Sequence, residues 1–271
     1  MKAITFLTTV LFSLISLNSV AATVDGSITG GEYQWNTDGV EGSSKWKTFD
    51  RKNDDREYND ASGGDRWDIN YLGTSVNNGQ FQFGLIGGEI LDGGITGYGN
   101  RRRQTNPIYL SDIAIGVTGF GVPASDPTTD SSSFQYAIRL LGVDDNTGVA
   151  NFALLEGGTW EGANIYDRAP GSKHTTETYK MNKANTLTTF NGIWNSYGGD
   201  GNVLEGGFDL SLLSIFDPSV GGTLSTYITM ACVNDEAFVT ADVAAVPVPA
   251  ALWLLTPALI GFMGLRRRIK S

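Results

Sequence analysis

The sequence predicts an all-β protein: a single antiparallel β-sandwich of about nine strands, jelly-roll or immunoglobulin-like, between an N-terminal signal peptide and a C-terminal transmembrane helix. Three observations carry this. Apolar and polar residues alternate along successive segments, as on strands with one buried face. Clusters of Gly, Asn and Asp separate those segments. No long stretch of the middle of the chain carries apolar residues at helical spacing.

The chain opens "MKAITFLTTVLFSLISLNSVAA". Lys2, an apolar run over 4–17 and small residues at the end form the three regions of a secretory signal peptide, with cleavage expected after Ala21 or Ala22. No cysteine lies near that point, which argues against lipidation there. Residues 1–22 are thus read as the signal peptide, 23–245 as one exported β domain and 246–271 as a separate tail.

Within the body, "WDINYLGTSV", "NNG" and "QFQFGLI" read as a hairpin, with Phe81, Phe83 and Leu85 on one face and Gln80, Gln82 and Gly84 on the other. "IYLSDIAIGV" is the next strand, followed by the polar, proline-bearing loop "GVPASDPTTDSSS". "SSFQYAIRLLGV", "DDNTG" and "VANFALLEGG" form a second hairpin, with Phe134, Tyr136, Ile138 and Leu140 on one face. "VLEGGFDLSLL", "LSTYITMACV" and "EAFVTAD" complete the strands, and "DLSLLSIF" allows one helical turn. Strands of the same character lie on both sides of the loop, which favours one domain.

Charge excludes several functions. All 29 acidic residues fall in 23–245, whereas Lys2, Arg266, Arg267, Arg268 and Lys270 fall outside it. The body therefore carries 14 basic residues and a net charge of −15. Such a field repels nucleic acid and anionic membrane surfaces and favours uptake of cations. Cys232 is the only cysteine, so no intrachain disulfide forms, and its place in "YITMACV" suits a small buried side chain.

Catalytic patterns are sparse. His174 is the single histidine, so a histidine-rich zinc site is excluded, and no G-x-S-x-G elbow presents a serine to it. Glycine-rich pieces such as "GVTGFGV" lack the lysine-bearing helix start of a phosphate cradle. Arg101, Arg102 and Arg103 form one basic cluster, read as an exposed loop. The many carboxylates single out no pair for glycoside hydrolysis. The expectation is a protein that is not an enzyme.

Two binding chemistries stand out. Asp54, Asp55, Glu57 and Asp60 in "DRKNDDREYNDASGGDRWD" supply oxygen ligands of the kind Ca²⁺ takes, although the EF-hand glycine is replaced by Tyr58. Arg51, Lys52, Arg56 and Arg66 neutralise much of that charge, so a solvated loop is the competing reading. The body also holds Trp35, Trp46, Trp67, Trp160 and Trp194. Indoles can stack on sugar rings or fill a β core. Trp160 in "GGTWEG" and Trp194 in "GIWNSYGG" have the flanks of loop aromatics and are the sugar-stacking candidates; Trp67 reads as a core residue.

"DGSITGGEYQW" and "VLEGGFDLSLL" resemble strands of DOMON-like and family 9 carbohydrate-binding sandwiches, and "YITMACVNDEAFV" is similar to a segment preceding PEP-CTERM tails. The end of the chain is more specific. Residues 246–265 are uncharged and interrupted by Pro247, Pro249 and Pro257; Arg266, Arg267 and Arg268 follow. The order Pro-x-Pro, short apolar stretch, arginine cluster resembles the PEP-CTERM sorting signal of Gram-negative bacteria, with Val248 where that family usually has Glu. This implies export by the Sec machinery, transient retention in the inner membrane with the C-terminus cytoplasmic, and processing by an exosortase. It further implies a mature form at the cell surface or in an exopolysaccharide or biofilm matrix. The function so implied is a polysaccharide-associated binding or adhesion module. The alternatives are a structural calcium-binding matrix or surface-layer protein and, third, a secreted polysaccharide hydrolase.

Overall fold

The computed structural model describes residues 23–28, 33–35, 69–92, 94–95, 108–125, 127, 130–162, 178–196, 201–230 and 236–245. In chain order the strands are β1 (Gln34–Trp35), β2 (Ile69–Asn77), β3 (Gln80–Gly87), β4 (Gly94–Ile95), β5 (Ile108–Tyr109), β6 (Ile113–Thr118) and β7 (Tyr136–Asp144). They continue as β8 (Val149–Glu156), β9 (Thr159–Glu161), β10 (Lys180–Asn182), β11 (Asn185–Asn195), β12 (Asn202–Asp209), β13 (Gly222–Thr229) and β14 (Glu236–Val243). The expected "DLSLLSIF" turn is a 3-10 turn at Leu210–Leu212, capped by the Asp209 carboxylate, which accepts from the Ser211 N–H.

Ten strands form one antiparallel sheet in the order β1-β2-β3-β12-β11-β8-β7-β6-β13-β14. β14 packs against β2, so the sheet curls until its ends approach each other. The all-β antiparallel class expected from sequence is observed. Its two layers are opposite walls of one nearly closed sheet, because β12 inserts between β3 and β11 and β13 lies beside β6. Alternation shows which face of a strand is buried and says nothing about which distant strand it joins.

The first hairpin is as expected. Asn78 and Gly79 both take positive φ (50° and 79°), the geometry a two-residue hairpin turn needs. Phe81, Phe83 and Leu85 are fully buried. The second hairpin differs at its start: Tyr136 and Ile138 face the main core, whereas Phe134 precedes the strand and packs outside with Ala114, Ala124 and Tyr227. The run "IYLSDIAIGV" is split into β5 and β6, with Leu110 bridging to Met230 between them.

Five phenylalanines make a continuous run through the interior. Phe83 meets Phe152 edge-on at 5.3 Å, and Phe152 stacks on Phe190 at 5.3 Å. Phe190 contacts Phe208 at 5.8 Å, and Phe208 contacts Phe81 at 5.1 Å. These separations lie in the favourable range for aromatic pairs. The rings fit because two inward positions are glycine. A Cβ at Gly206 would lie 2.8 Å from Phe83, and one at Gly192 only 2.0 Å from the Glu205 carbonyl oxygen.

The end of the barrel where β2, β6, β8, β12 and β14 finish and β3, β7, β11 and β13 begin is called the exit end. Ala245, the last described residue, lies there beyond β14.

Gly192→Ala is expected to cost about 3 kcal/mol or more, since the β11–β12 ladder must part to admit the methyl. Gly119→Ala meets nothing within 4 Å and is expected to stay within about 0.5 kcal/mol of the parent. Urea unfolding of both variants checks this; equal stabilities would contradict the close approach of β11 and β12.

Candidate binding groove

The outer face of β6, β7 and β8 is covered by the β9–β10 ribbon. A part-buried ion pair fastens it. The Asp112 carboxylate accepts from Arg139 Nε (2.8 Å) and Nη2 (2.6 Å) and from the Met181 N–H (2.8 Å). Arg139 Nη2 also donates to the Met181 carbonyl at 2.7 Å, and the Asp112 N–H donates to Tyr179 O at 3.0 Å. The hydrogen bond to Asp112 raises the pKa of Arg139 further, so the guanidinium stays charged.

The ribbon turns tightly because Gly157 takes φ +67° and because a Cβ at Gly158 would fall 2.5 Å from Met181 and 2.6 Å from the Asn182 carbonyl. This turn positions Trp160. Its half-buried ring packs against two outer clusters, one with Phe134 and Tyr227, the other with Leu155 and Met181. Its Nε1 donates to the Phe134 carbonyl at 2.7 Å.

Beside Trp160 lies an open groove of about 610 Å³ at the exit end. One wall is Glu156, Gly157, Gly158, Thr159 and Trp160; the other comes from Ser131, Ser132, Phe134 and Gln135. Ser214 and Ile215 close it next to Tyr136, whose hydroxyl is 3.1 Å from Ser214 Oγ and accepts from the Ile215 N–H. The arrangement combines a flat aromatic, a carboxylate, an amide and several hydroxyls on one concave surface. It can hold a polar ligand with apolar faces.

Trp160 is therefore a strand residue on a groove wall, where sequence suggested a loop. For Trp194 the sequence expectation needs correction. It sits in β11, is 5% exposed and belongs to the main core. Its Nε1 donates to Asp145 Oδ1 at 2.6 Å and its N–H to the Gly148 carbonyl at 2.8 Å, fixing the β7–β8 turn. A ring enclosed this way offers no face to a sugar. Gln135, Glu156 and Thr159 were missed because lone polar residues at strand ends carry no pattern.

A second cluster lies on the outer wall, where the sequence stretches "DGSITGGEYQW" and "VLEGGFDLSLL" meet. Glu205 is fully buried, and its two carboxylate oxygens accept from the Gly26 N–H and the Tyr33 hydroxyl, both at 2.6 Å. Gly84 has no side chain, which makes room for Ile28 and the Tyr33 ring. Asn195 Nδ2 donates to the Gly26 carbonyl at 3.1 Å. Burial pushes the Glu205 carboxyl above its ordinary range, more than the bonds from Tyr33 and Gly26 pull it down. Both oxygens are engaged, so the group acts as a clasp for the N-terminal segment.

Asp54, Asp55, Glu57 and Asp60 lie outside the described residues, as do Ala21, Ala22, Pro247, Val248, Pro249, Arg266, Arg267, Arg268, His174 and Cys232. Among the described residues no group of three or more His, Cys, Asp or Glu side chains converges as a metal site. No helix among them is long and apolar enough to cross a membrane. No protein-family model matches the chain, and neither a curated protein nor a solved structure shows significant similarity to it.

Two stability predictions follow from these contacts. Asp112→Ala leaves Arg139 Nε and the Met181 N–H without their acceptor and is expected to cost about 2 kcal/mol in urea unfolding. Loss below about 0.5 kcal/mol would contradict a fastening role. For Glu205 the folded pKa is raised, so its contribution is full below the unfolded value near 4.5 and is lost as pH rises through the folded value. Glu205→Gln keeps an acceptor for Gly26 without the charge. Its melting temperature relative to the parent is therefore expected to climb from pH 4.5 towards pH 7. A constant difference would contradict the assignment.

Proposed function

We propose that the chain is an exported, non-catalytic surface or matrix protein that binds polysaccharide in the Trp160 groove. The observation that carries this is the shared lining: an indole held by two clusters, with Glu156, Gln135, Thr159 and Ser131 around it. A pyranose ring has apolar C–H faces that lie against an indole, and equatorial hydroxyls that a carboxylate and an amide can bond. The open shape suits a segment of a longer polymer. Glu156 is the one carboxylate lining the groove among the described residues, whereas glycoside hydrolysis uses a facing pair. The body's charge of −15 selects neutral over uronate-rich polymers.

On this reading residues 246–271 are a PEP-CTERM-type signal that an exosortase processes at Pro247–Pro249, releasing the barrel to the surface or matrix. Its support is the order of prolines, uncharged stretch and arginines, together with the position of Ala245 at the end of the last strand.

Affinity electrophoresis through neutral β-glucan and galactomannan gels tests the binding. The parent protein is expected to be retarded. Glu156→Gln, which leaves the packing of Trp160 intact, is expected to weaken binding about tenfold, corresponding to roughly 1.4 kcal/mol. Trp160→Ala, assayed below its own melting temperature, is expected to abolish it. Free migration of the parent in every gel, or equal retardation of both variants, would refute the groove as the site.

A further inference from the structure

Beyond the groove, we infer that the exit end of the barrel rests against a lipid bilayer surface while the tail is still attached. The inference depends on the reading of residues 246–265 as a membrane segment. Six large apolar side chains are exposed among the described residues, and four stand at this end: Phe120 (59%), Val122 (56%), Ile215 (51%) and Val220 (68%). Turn tips ordinarily carry polar residues, so apolar groups concentrated on neighbouring tips need a partner.

Backbone bonds hold these tips outward. The Val122 N–H donates to Gly119 O at 3.0 Å, and the Gly121 N–H donates to Thr223 Oγ1 at 2.8 Å. The N–H groups of Val220 and Gly221 both donate to the Asp217 carbonyl, at 3.1 and 2.9 Å. Thr118 pairs with Thr223 and Gly222 with Val243, which sets both turns beside the departing chain. A Cβ at Gly221 would lie 2.5 Å from the Val243 carbonyl oxygen and 2.7 Å from the Ala245 nitrogen, so the Val220 turn and the exit segment touch.

The position of the tail identifies the partner. Beyond Ala245 the sequence runs uncharged from 246 to 265 before Arg266, Arg267 and Arg268. Pro249 stands four positions beyond Ala245, a reach of at most about 14 Å. A tail entering lipid after Pro249 therefore holds these tips at the bilayer interface, where Phe and Val side chains are accommodated. Asp130, Asp209 and Asp217 at the same end favour a zwitterionic over an anionic surface.

The test uses the full chain in phosphatidylcholine vesicles on a Cys232→Ala background, with single labelled cysteines at Phe120→Cys, Val220→Cys, Leu141→Cys and Leu255→Cys. Leu141 is equally exposed (56%) but lies in the half of β7 towards the opposite end. Quenching by nitroxide-bearing lipid is expected to be at least ~3-fold greater at 120 and 220 than at 141, with 255 quenched most strongly. If 255 is quenched while 120 and 220 match 141, the barrel stands off the membrane and the inference fails alone. If 255 is also unquenched, the membrane reading of the tail fails and takes the inference with it. Labels at 120 and 220 shielded from water yet untouched by lipid quencher would assign this end to a second copy of the chain and overturn the proposal.

Discussion

The fit of five phenylalanine rings to two inward glycines is the constraint on which the barrel depends. Phe81, Phe83, Phe152, Phe190 and Phe208 come from four strands that are adjacent in the sheet but scattered in sequence. Their pairings fill the wall-to-wall space along β3, β12, β11 and β8. Gly192 and Gly206 are the small partners in this large-and-small packing, an arrangement common where a narrow barrel must be filled without voids. Because β11 and β12 each present a glycine to the same rings, their register is fixed by volume as well as by hydrogen bonds. That register in turn places Glu205 on the outer wall and Trp194 beneath the β7–β8 turn.

A sheet whose inner face is satisfied still has an outer face to cover, and two charged groups organise that covering. Asp112 draws the β9–β10 ribbon onto β6 and β7, with Arg139 as its counter-ion. Glu205 draws residues 26 and 33 across β3, β11 and β12 through a backbone donor and a phenol. The difference matters for pH. Beside Asp112 the Arg139 guanidinium holds its proton more firmly, whereas burial raises the proton affinity of the Glu205 carboxylate. The groove belongs to the covering layer: Trp160 lies on the ribbon that Asp112 holds, so its position depends on a contact made on the far side of that ribbon.

Most strands were legible because their inward residues are apolar at alternate positions, as in Phe81, Phe83 and Leu85. The longest strand, β11, was not. Its inward set is Phe190, Gly192 and Trp194, so the middle residue leaves no apolar signal, and a bulge between Thr186 and Thr188 shifts the phase before it. The same hidden glycine explains the misreading of Trp194. Without Gly192 in the pattern, the tryptophan looked like a loop aromatic in "GIWNSYGG". Trp160 was found by residue type, but its setting was not, because β9 and β10 have three residues each and pair across a long excursion. Glu205 was one acidic residue among 29. What singles it out is two donors arriving from residues distant in the chain.

The groove and the departing chain share one end of the barrel, which on the proposed reading links binding to release. Ile215 belongs both to the groove wall and to the exposed apolar tips. A bilayer against Phe120, Val122 and Val220 would thus stand beside the open mouth through which a polymer must pass. On the proposed reading, the anchored protein is poorly placed to take up a long chain, and cutting the tail frees both surfaces together. The apolar tips then lose their lipid at the moment the groove gains access to polymer. Hydrophobic burial against the matrix can replace what the bilayer supplied, because the driving force depends on area removed from water and carries little directional preference. One end of one barrel would in this way serve as the resting face before processing and the adhesive face after it.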